Sequence, residues 1–278
     1  MPATAPPRLY VDGHNLLHRA AFGFPARITS RSGRDITLVF GFFALMRAGA
    51  RSLDTPPEIV VVFDGAEGAT ERRTLLPDYK PPVTGDEEAF ADLPYIYKGL
   101  ELLDIPCVEE LHHEADDIIA SFVTAAPDRE HVIMSTDKDF YQLLSSRVST
   151  LNTQRRADRR RIYPDEVYDK YRVMPHQWCD YRALMGDKSD NIPGVRGVGG
   201  RTASRLLADG AHLEDLAKLD RLIGRIGASV RDSWDDLLLW RSLIQLRTDT
   251  PVPALSSRPS ATTLVAAPEI VGELGLWA

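Results

Sequence analysis

Residues 113–139 read HEADDIIASFVTAAPDREHVIMSTDKD, and the way this stretch divides into elements decides the fold. Glu114, Asp116 and Asp117 fall in the first turn of an apolar-periodic helix, and Pro127 and Asp128 mark a turn. His131–Met134 is a short apolar strand that runs out into Ser135, Thr136, Asp137, Lys138 and Asp139. Five carboxylates therefore sit at two element ends. Acidic residues at a helix start are ordinary, because the free N–H groups there are positive; taken alone, EADD reads as a solvated helix start. The strand end points the other way. In an open α/β sheet, ligands bind beyond the carboxyl ends of the strands, and that is where Asp137 and Asp139 lie.

The pattern recurs upstream. Arg8–Val11 is a short strand that ends at Asp12, and Glu58–Phe63 is a β-branched run, of the kind buried on both faces, that ends at Asp64. Between them Leu38, Phe42, Leu45 and Met46 recur at helical spacing up to Leu53, and Pro56-Pro57 stops that helix. Strands alternating with helices predict a parallel sheet with right-handed crossovers, which brings Asp12, Asp64 and Asp137 to one edge. One aspartate at a strand end is usually a turn or cap residue. Three, with Glu114, Asp116 and Asp139 beside them, predict a cation site, because packed carboxylates raise each other's pKa unless cations lie between them. With oxygen donors only and no Cys or His set nearby, Mg²⁺ or Mn²⁺ is expected over zinc.

Between Gly65 and Asp92 periodicity is lost, and the segment reads as an excursion that cannot be a buried element. It is either a surface loop without function or a lid carrying Arg72, Arg73, Tyr79 and Lys80 over the acidic edge, which suits a single-stranded phosphodiester chain. Pro94, Ile96, Leu100 and Leu103 then mark a helix with a core stripe. Val148–Leu151 and Arg161–Tyr163 read as a hairpin with a basic tip, five arginines lying between 155 and 161. From Pro164 the chain reads as helices only. Gly186–Leu207 holds Asp187 and Asp190 and a glycine turn from Pro193 to Gly199, then a helix start. Arg196, Arg201 and Arg205 flank it, which suits phosphate contact without base reading. Gly197-Val198-Gly199 follows a loop, not a strand, so a dinucleotide fold is disfavoured. Trp234 and Trp240 are expected in the core, and the segment from Thr250 carries no assigned function.

The 278 residues, 44% hydrophobic, provide for one large domain or two. Cys107 and Cys179 form no CxxC pair and no disulfide framework, and the N-terminus lacks the basic and apolar regions of a signal peptide. A cytoplasmic protein without a membrane span is expected. The formal charge of −7 looks wrong for a nucleic-acid binder, but setting aside nine carboxylates gathered at one metal site leaves the remainder at +2. Net charge therefore decides nothing.

Five blocks now stand in order: VDGHNLLHR, VVFDG, EADD, STDKDFYQLL and GDKSDNIPGVRGVGGRTA. Together they resemble the 5′-nuclease family, which includes the 5′→3′ exonuclease domain of bacterial DNA polymerase I, its stand-alone relatives and the flap endonucleases. The likeness runs from about Arg8 to Thr250, and with no polymerase segment following, a free-standing member is expected. The resemblance implies an α/β fold with a PIN-like central, mostly parallel sheet flanked by helices, a helical arch, and a C-terminal all-helical subdomain with a helix–three-turn–helix motif. The implied boundaries are 1–163 for the catalytic domain with the arch at about 66–92, 164–250 for the helical subdomain with the motif at about 186–208, and 251–278 for a tail.

By the same resemblance Asp12, Asp64, Glu114 and Asp116 would hold a first metal, Asp137, Asp139 and Asp187 a second, with Asp117 and Asp190 as outer or additional ligands. Asp12, Asp64, Asp116 and Asp137 would serve catalysis together with Lys80, which matches an arch lysine, and Arg72, eight residues before it. Val83 stands where an arch arginine is usual. Arg19, Arg73, Tyr79, Gly194, Arg196, Gly197, Gly199, Arg201, Thr202 and Arg205 would contact DNA, and a potassium ion at the Gly194–Gly199 turn is implied. The implied activity is metal-dependent cleavage of 5′ flaps, 5′ ends and duplex junctions, RNA-primed ends being a further candidate. A nucleoid-associated monomer working beside a separate polymerase is expected. Two other readings stand beside it: a PIN-type ribonuclease, and a junction-binding protein that has lost catalysis.

Overall fold

The computed structural model describes residues 5–81, 90–255 and 264–278. Its centre is β1 (Arg8–Asp12), a short apolar strand buried along its middle. β2 (Glu58–Asp64) and β4 (His131–Met134) lie parallel on either side, with Asp12 opposite Val62 and Val11 opposite Met134. The sheet continues to β3 (Cys107–Glu110) at one edge, and to β5 (Val148–Leu151) and β6 (Arg161–Ile162) at the other, in the order β3-β2-β1-β4-β5-β6. All neighbours are parallel except β5 and β6, which form the basic-tipped hairpin expected from sequence.

Side-chain alternation along the strands divides the interior into two layers. Leu9, Val11, Ile59, Val61, Phe63, Val132 and Met134 face a core shared with α1 (Gly13–Phe22), α2 (Thr37–Ala50) and α4 (Leu93–Leu102). Tyr10, Val60, Val62 and Ile133 face α5 (Ala115–Ala125). Every crossover thus feeds a strand from its amino end and leaves its carboxyl end at the same edge. Gly13 is required there, since a Cβ would lie 2.8 Å from the Val62 carbonyl oxygen and closer still to the Phe63 ring. That contact lets α1 begin directly against β2.

A separate core underlies the helical region, formed by α6 (Pro164–Tyr171), α7 (Trp178–Met185), α8 (Gly200–Leu206), α9 (Gly224–Asp232) and α10 (Trp234–Ile244). Trp178 and Trp240 are buried in it, whereas Trp234 packs at its margin. Among the described residues, no helix is long and apolar enough to cross a membrane.

Three features depart from the sequence reading. First, β3 goes unread because Cys107, Glu109 and Glu110 flank one buried residue, Val108; a four-residue edge strand with charged faces carries no apolar pattern. Second, the excursion after Gly65 is partly buried. It forms α3 (Thr70–Leu75), in which Arg72 is 3% exposed, and Tyr79 beyond it is 2% exposed. Burial of an arginine is tolerable here because acidic partners wait for it. Residues 82–89, with Val83 among them, lie outside the described residues. Third, the segment read as a tail supplies α11 (Ala267–Glu273), whose Ala267, Ile270 and Val271, with Leu274 and Leu276 beyond it, join the core beside α2.

Candidate metal centre

Asp12 leaves β1 and caps α1: its Oδ1 accepts the Asn15 N–H (3.1 Å), and its Oδ2 accepts the Ser135 hydroxyl (2.8 Å). Asn15 and Thr136 exchange two further hydrogen bonds, tying the exit of β4 to α1. Asp64 leaves β2, and its Oδ1 accepts the N–H of Ala115, the first residue of α5 (2.6 Å). The Asp64 N–H donates to His14 Nδ1 (3.1 Å). Asp137 Oδ1 accepts the Asp139 N–H (2.8 Å). Three neighbouring strands therefore deliver three carboxylates to one edge, each fixed by backbone.

Two tight groups stand beside them. Glu114, Asp116 and Asp117 each offer an oxygen within 4.8 Å of the others at the start of α5, and Asp139, Asp187 and Asp190 do the same. The second group is closed by a small loop: Asp187 and Ile192 exchange two backbone hydrogen bonds, which fold Asp190 back toward the edge. All nine carboxylates named from sequence thus gather in one region. Each compact group joins two members of one metal set implied by the resemblance to an acid expected as outer or additional, Asp117 in the first and Asp190 in the second. Oxygen donors of this number and charge fit hard divalent cations.

Protein cations meet these acids. The Arg72 guanidinium grips Asp117 with two hydrogen bonds of 2.8 Å each and also donates to Glu114. Its remaining N–H groups reach the carbonyls of Leu243 (3.1 Å), within the last turn of α10, and Gln245 (3.4 Å), just beyond it. Asp117 also accepts the Arg247 N–H (2.8 Å). Arg72 therefore joins the excursion, the acidic edge and the helical region. Lys80 Nζ lies 2.6 Å from Glu114 Oε1 and 3.5 Å from Asp116 Oδ2. Its backbone is left-handed, with φ of 42°, a strained setting for lysine. Arg73 holds it there by donating to the Tyr79 and Lys80 carbonyls. Tyr79, which the lid reading carried over the edge and the surface-loop reading left without a role, is buried, with its hydroxyl 3.5 Å from Glu114. Arg182 of α7 contacts Asp139 (Nε to Oδ1, 3.2 Å) and Asp187.

Burial, then the charges of Asp64 and Asp137, push Asp12 up to about 7 from an ordinary 3.8. Burial and Asp137 push Asp139 up to about 7, and burial is the main cause that raises Asp190 to about 6. Asp116 moves the other way: burial acts to raise it, but Lys80 and Arg72 outweigh that and leave it lowered. These shifts set a sign. The folded protein holds protons on Asp12, Asp139 and Asp190 that the unfolded chain gives up near 3.8, so their contribution to stability is full below that value. It is lost as pH rises through about 6 to 7. Asp116, being depressed, is already ionised throughout this window and does not reverse the trend. In chelator the melting temperature is expected to fall between pH 5 and pH 8, and Mg²⁺ added at pH 8 to restore it. A flat profile in chelator would refute this electrostatic account of the edge.

The Gly194–Gly199 turn follows, with Gly194 at φ of 70° and Gly197 at 83°. Gly194 packs on the backbone of Met185 and Gly186, leaving no room for a Cβ. Arg196, Gly197, Gly199, Arg201 and Arg205 are exposed, and Thr202 is half-buried. Arg225 of α9, which the sequence reading missed, lines the same depression as Arg196 and Gly197. Arg19 of α1 is partly buried, and burial with the nearby Arg160 lowers its pKa, so α1 and the hairpin tip share one basic surface.

Residues 7–172 match the family described as 5′–3′ exonuclease, N-terminal resolvase-like domain, and residues 173–263 match its partner, 5′–3′ exonuclease, C-terminal SAM fold. The chain belongs to the 5′–3′ exonuclease family. It is 38% identical over 249 residues to the thermostable DNA polymerase I of Thermus aquaticus, an alignment covering 88% of this chain and 29% of the polymerase. The chain thus spans under a third of that relative's length. In fold it resembles a bacteriophage T5 flap endonuclease solved with DNA and metal ions (TM-score 0.68, 21% identity, 85% of this chain and 88% of that one). A T5 5′-exonuclease with zinc bound gives the same TM-score at 21% identity, covering 96% of each chain.

Within this exonuclease family fold, His14 and Arg182 are residues of the acidic edge that sequence reasoning passed over. His14 lies inside the VDGHN block but has no partner visible in sequence. Arg182 lies five residues before Asp187 on the preceding helix, a separation that becomes a contact only because the chain reverses at Gly186.

Proposed function

We propose that this member of the 5′–3′ exonuclease family hydrolyses DNA phosphodiesters at 5′ flaps, 5′ ends and duplex junctions, using Mg²⁺ or Mn²⁺ held on its acidic edge by a two-metal arrangement. The observation that carries the proposal is the convergence of nine carboxylates from three strand ends, one helix start and the Asp187–Asp190 loop, with an all-oxygen donor set. Bound there, the ions would activate water for in-line attack and offset charge on the leaving oxygen. Asp12, Asp64, Glu114 and Asp116 would serve one ion, with Asp137, Asp139, Asp187 and Asp190 serving the other. Asp117 holds Arg72.

Lys80 is held cationic. Burial works against its charge, but Asp116, Tyr79 and Glu114 outweigh that and raise its pKa well above the usual lysine value. Poised on Glu114, its ammonium would turn to the phosphoryl oxygens of a bound strand. Lys80→Ala is expected to slow single-turnover cleavage by roughly 10²-fold or more while binding changes little. A loss seen mainly in binding would assign Lys80 to substrate capture instead. Exposed Arg196, Arg201, Arg205 and Arg225 would grip the duplex backbone, with K⁺ at the glycine turn, so selection would follow DNA shape and not base sequence. A cytoplasmic, nucleoid-associated monomer that works beside a polymerase completes the proposal.

Cleavage of a 5′-labelled flap duplex with Mg²⁺, Mn²⁺ or chelator, beside a blunt duplex and an RNA flap, tests the reading. Metal-dependent release of short 5′ products near the junction supports it. Tight junction binding without cleavage would favour a binding protein, and preference for the RNA flap a ribonuclease.

A further inference from the structure

Arg182 is a charged group on the acidic edge that the proposed chemistry leaves unused. It lies on α7, 8% exposed, and among the described residues Asp139 and Asp187 are the only hydrogen-bond and ion-pair partners of its side chain. Arg72 is different, since it also holds the carbonyls of Leu243 and Gln245 and so stays committed to the fold whatever binds nearby. Arg182 spends its donors on two of the three carboxylates that gather within 4.8 Å. A cation entering that group needs the same oxygens. The guanidinium also reduces the formal charge of the group from three negative charges to two, in a buried setting where solvent screens little.

We infer that Arg182 is a resident counter-ion that weakens divalent-cation binding at Asp139, Asp187 and Asp190. It keeps the metal-free fold intact and keeps a bound ion exchangeable. The inference rests on the metal-centre reading above. It predicts opposite changes from one substitution, which a merely structural arginine would not produce. Removing Arg182 leaves three buried carboxylates facing one another, so the metal-free protein loses stability. The same removal strengthens the pull on a dication, so the ion binds more tightly.

The test is Mn²⁺ binding to the full chain without DNA, followed by the electron paramagnetic resonance of free Mn²⁺, together with melting temperatures in chelator and in saturating Mn²⁺. Asp139→Asn identifies the binding class that belongs to this group. In Arg182→Gln that class is expected to tighten about tenfold, with a lower melting temperature in chelator and a larger rise on adding Mn²⁺. Unchanged or weaker binding at that class would overturn the inference. Should Arg182→Gln fold only with Mn²⁺ present, Arg182→Lys, a single ammonium unable to span both carboxylates, should tighten binding in the same direction by less. Weaker binding in Arg182→Lys would overturn the inference equally. If the parent shows no Mn²⁺ class sensitive to Asp139→Asn or Asp116→Asn, the metal-centre reading fails first.

Discussion

Asp137→Asn is expected to reduce Mg²⁺-dependent cleavage by at least about 10³-fold while making the metal-free protein more stable at pH 8. The substitution keeps an oxygen to accept the Asp139 N–H, now held at 2.8 Å, so the turn after β4 should persist. What disappears is one negative charge in a crowded field. Asp137 helps to raise both Asp12 and Asp139 to about 7, after burial, and removing it lets both ionise at lower cost. Activity and stability in chelator should therefore move in opposite directions. Single-turnover rates on a flap substrate and melting temperatures in chelator measure the two. Near-normal turnover would remove Asp137 from the metal centre, and an unchanged melting temperature would mean that the carboxylates do not strain the fold.

Arg72→Met is expected to cost about 3–5 kcal/mol of stability, the usual result of breaking a buried ion pair from one side. Methionine fills much of the volume but leaves Glu114 and Asp117 buried without their guanidinium, and leaves the carbonyls of Leu243 and Gln245 short of a donor. Burial and Asp116 already raise the pKa of Asp117, and losing Arg72 adds to that pressure. Denaturant unfolding measures the loss. Pairing Arg72→Met with Asp117→Leu should recover a substantial part of it, because a matched apolar pair does not strand a charge. A loss below about 1 kcal/mol in the single variant would show that water or Lys80 takes over the arginine's role.

The two residues also mark where the sequence was legible. Asp12, Asp64 and Asp137 could be placed together because each ends an apolar run, and parallel topology does the rest. EADD alone read as an ordinary helix start and gained weight from those strand ends, whereas Asp187 and Asp190 were assigned to the metal sets by resemblance. Arg72 was picked out by resemblance, yet its burial could not be read, since its partners lie 42 and 45 residues downstream and its segment shows no periodicity. Arg182 sits on a short helix among mixed residues, where only the fold brings it to Asp139. The helix at Ala267–Glu273 follows a Pro/Ser/Thr-rich stretch, and seven residues are too few for an apolar stripe to stand out.

The placement of β1 between β2 and β4 has one more consequence. The three aspartates follow neighbouring strands of one hydrogen-bonded sheet, about 4.8 Å apart, with Asp12 and Asp64 at strand ends and Asp137 in the turn after β4. The spacing of those strands is set by backbone amides, and the turn that carries Asp137 is pinned to α1 through Asn15 and Thr136. Deuterium should enter the amides of Val11, Val62 and Ile133 only when the whole sheet opens. The acidic edge should thus keep its dimensions until the molecule unfolds, and the pieces left to adjust to a substrate are the ones carried by Lys80 and the glycine turn.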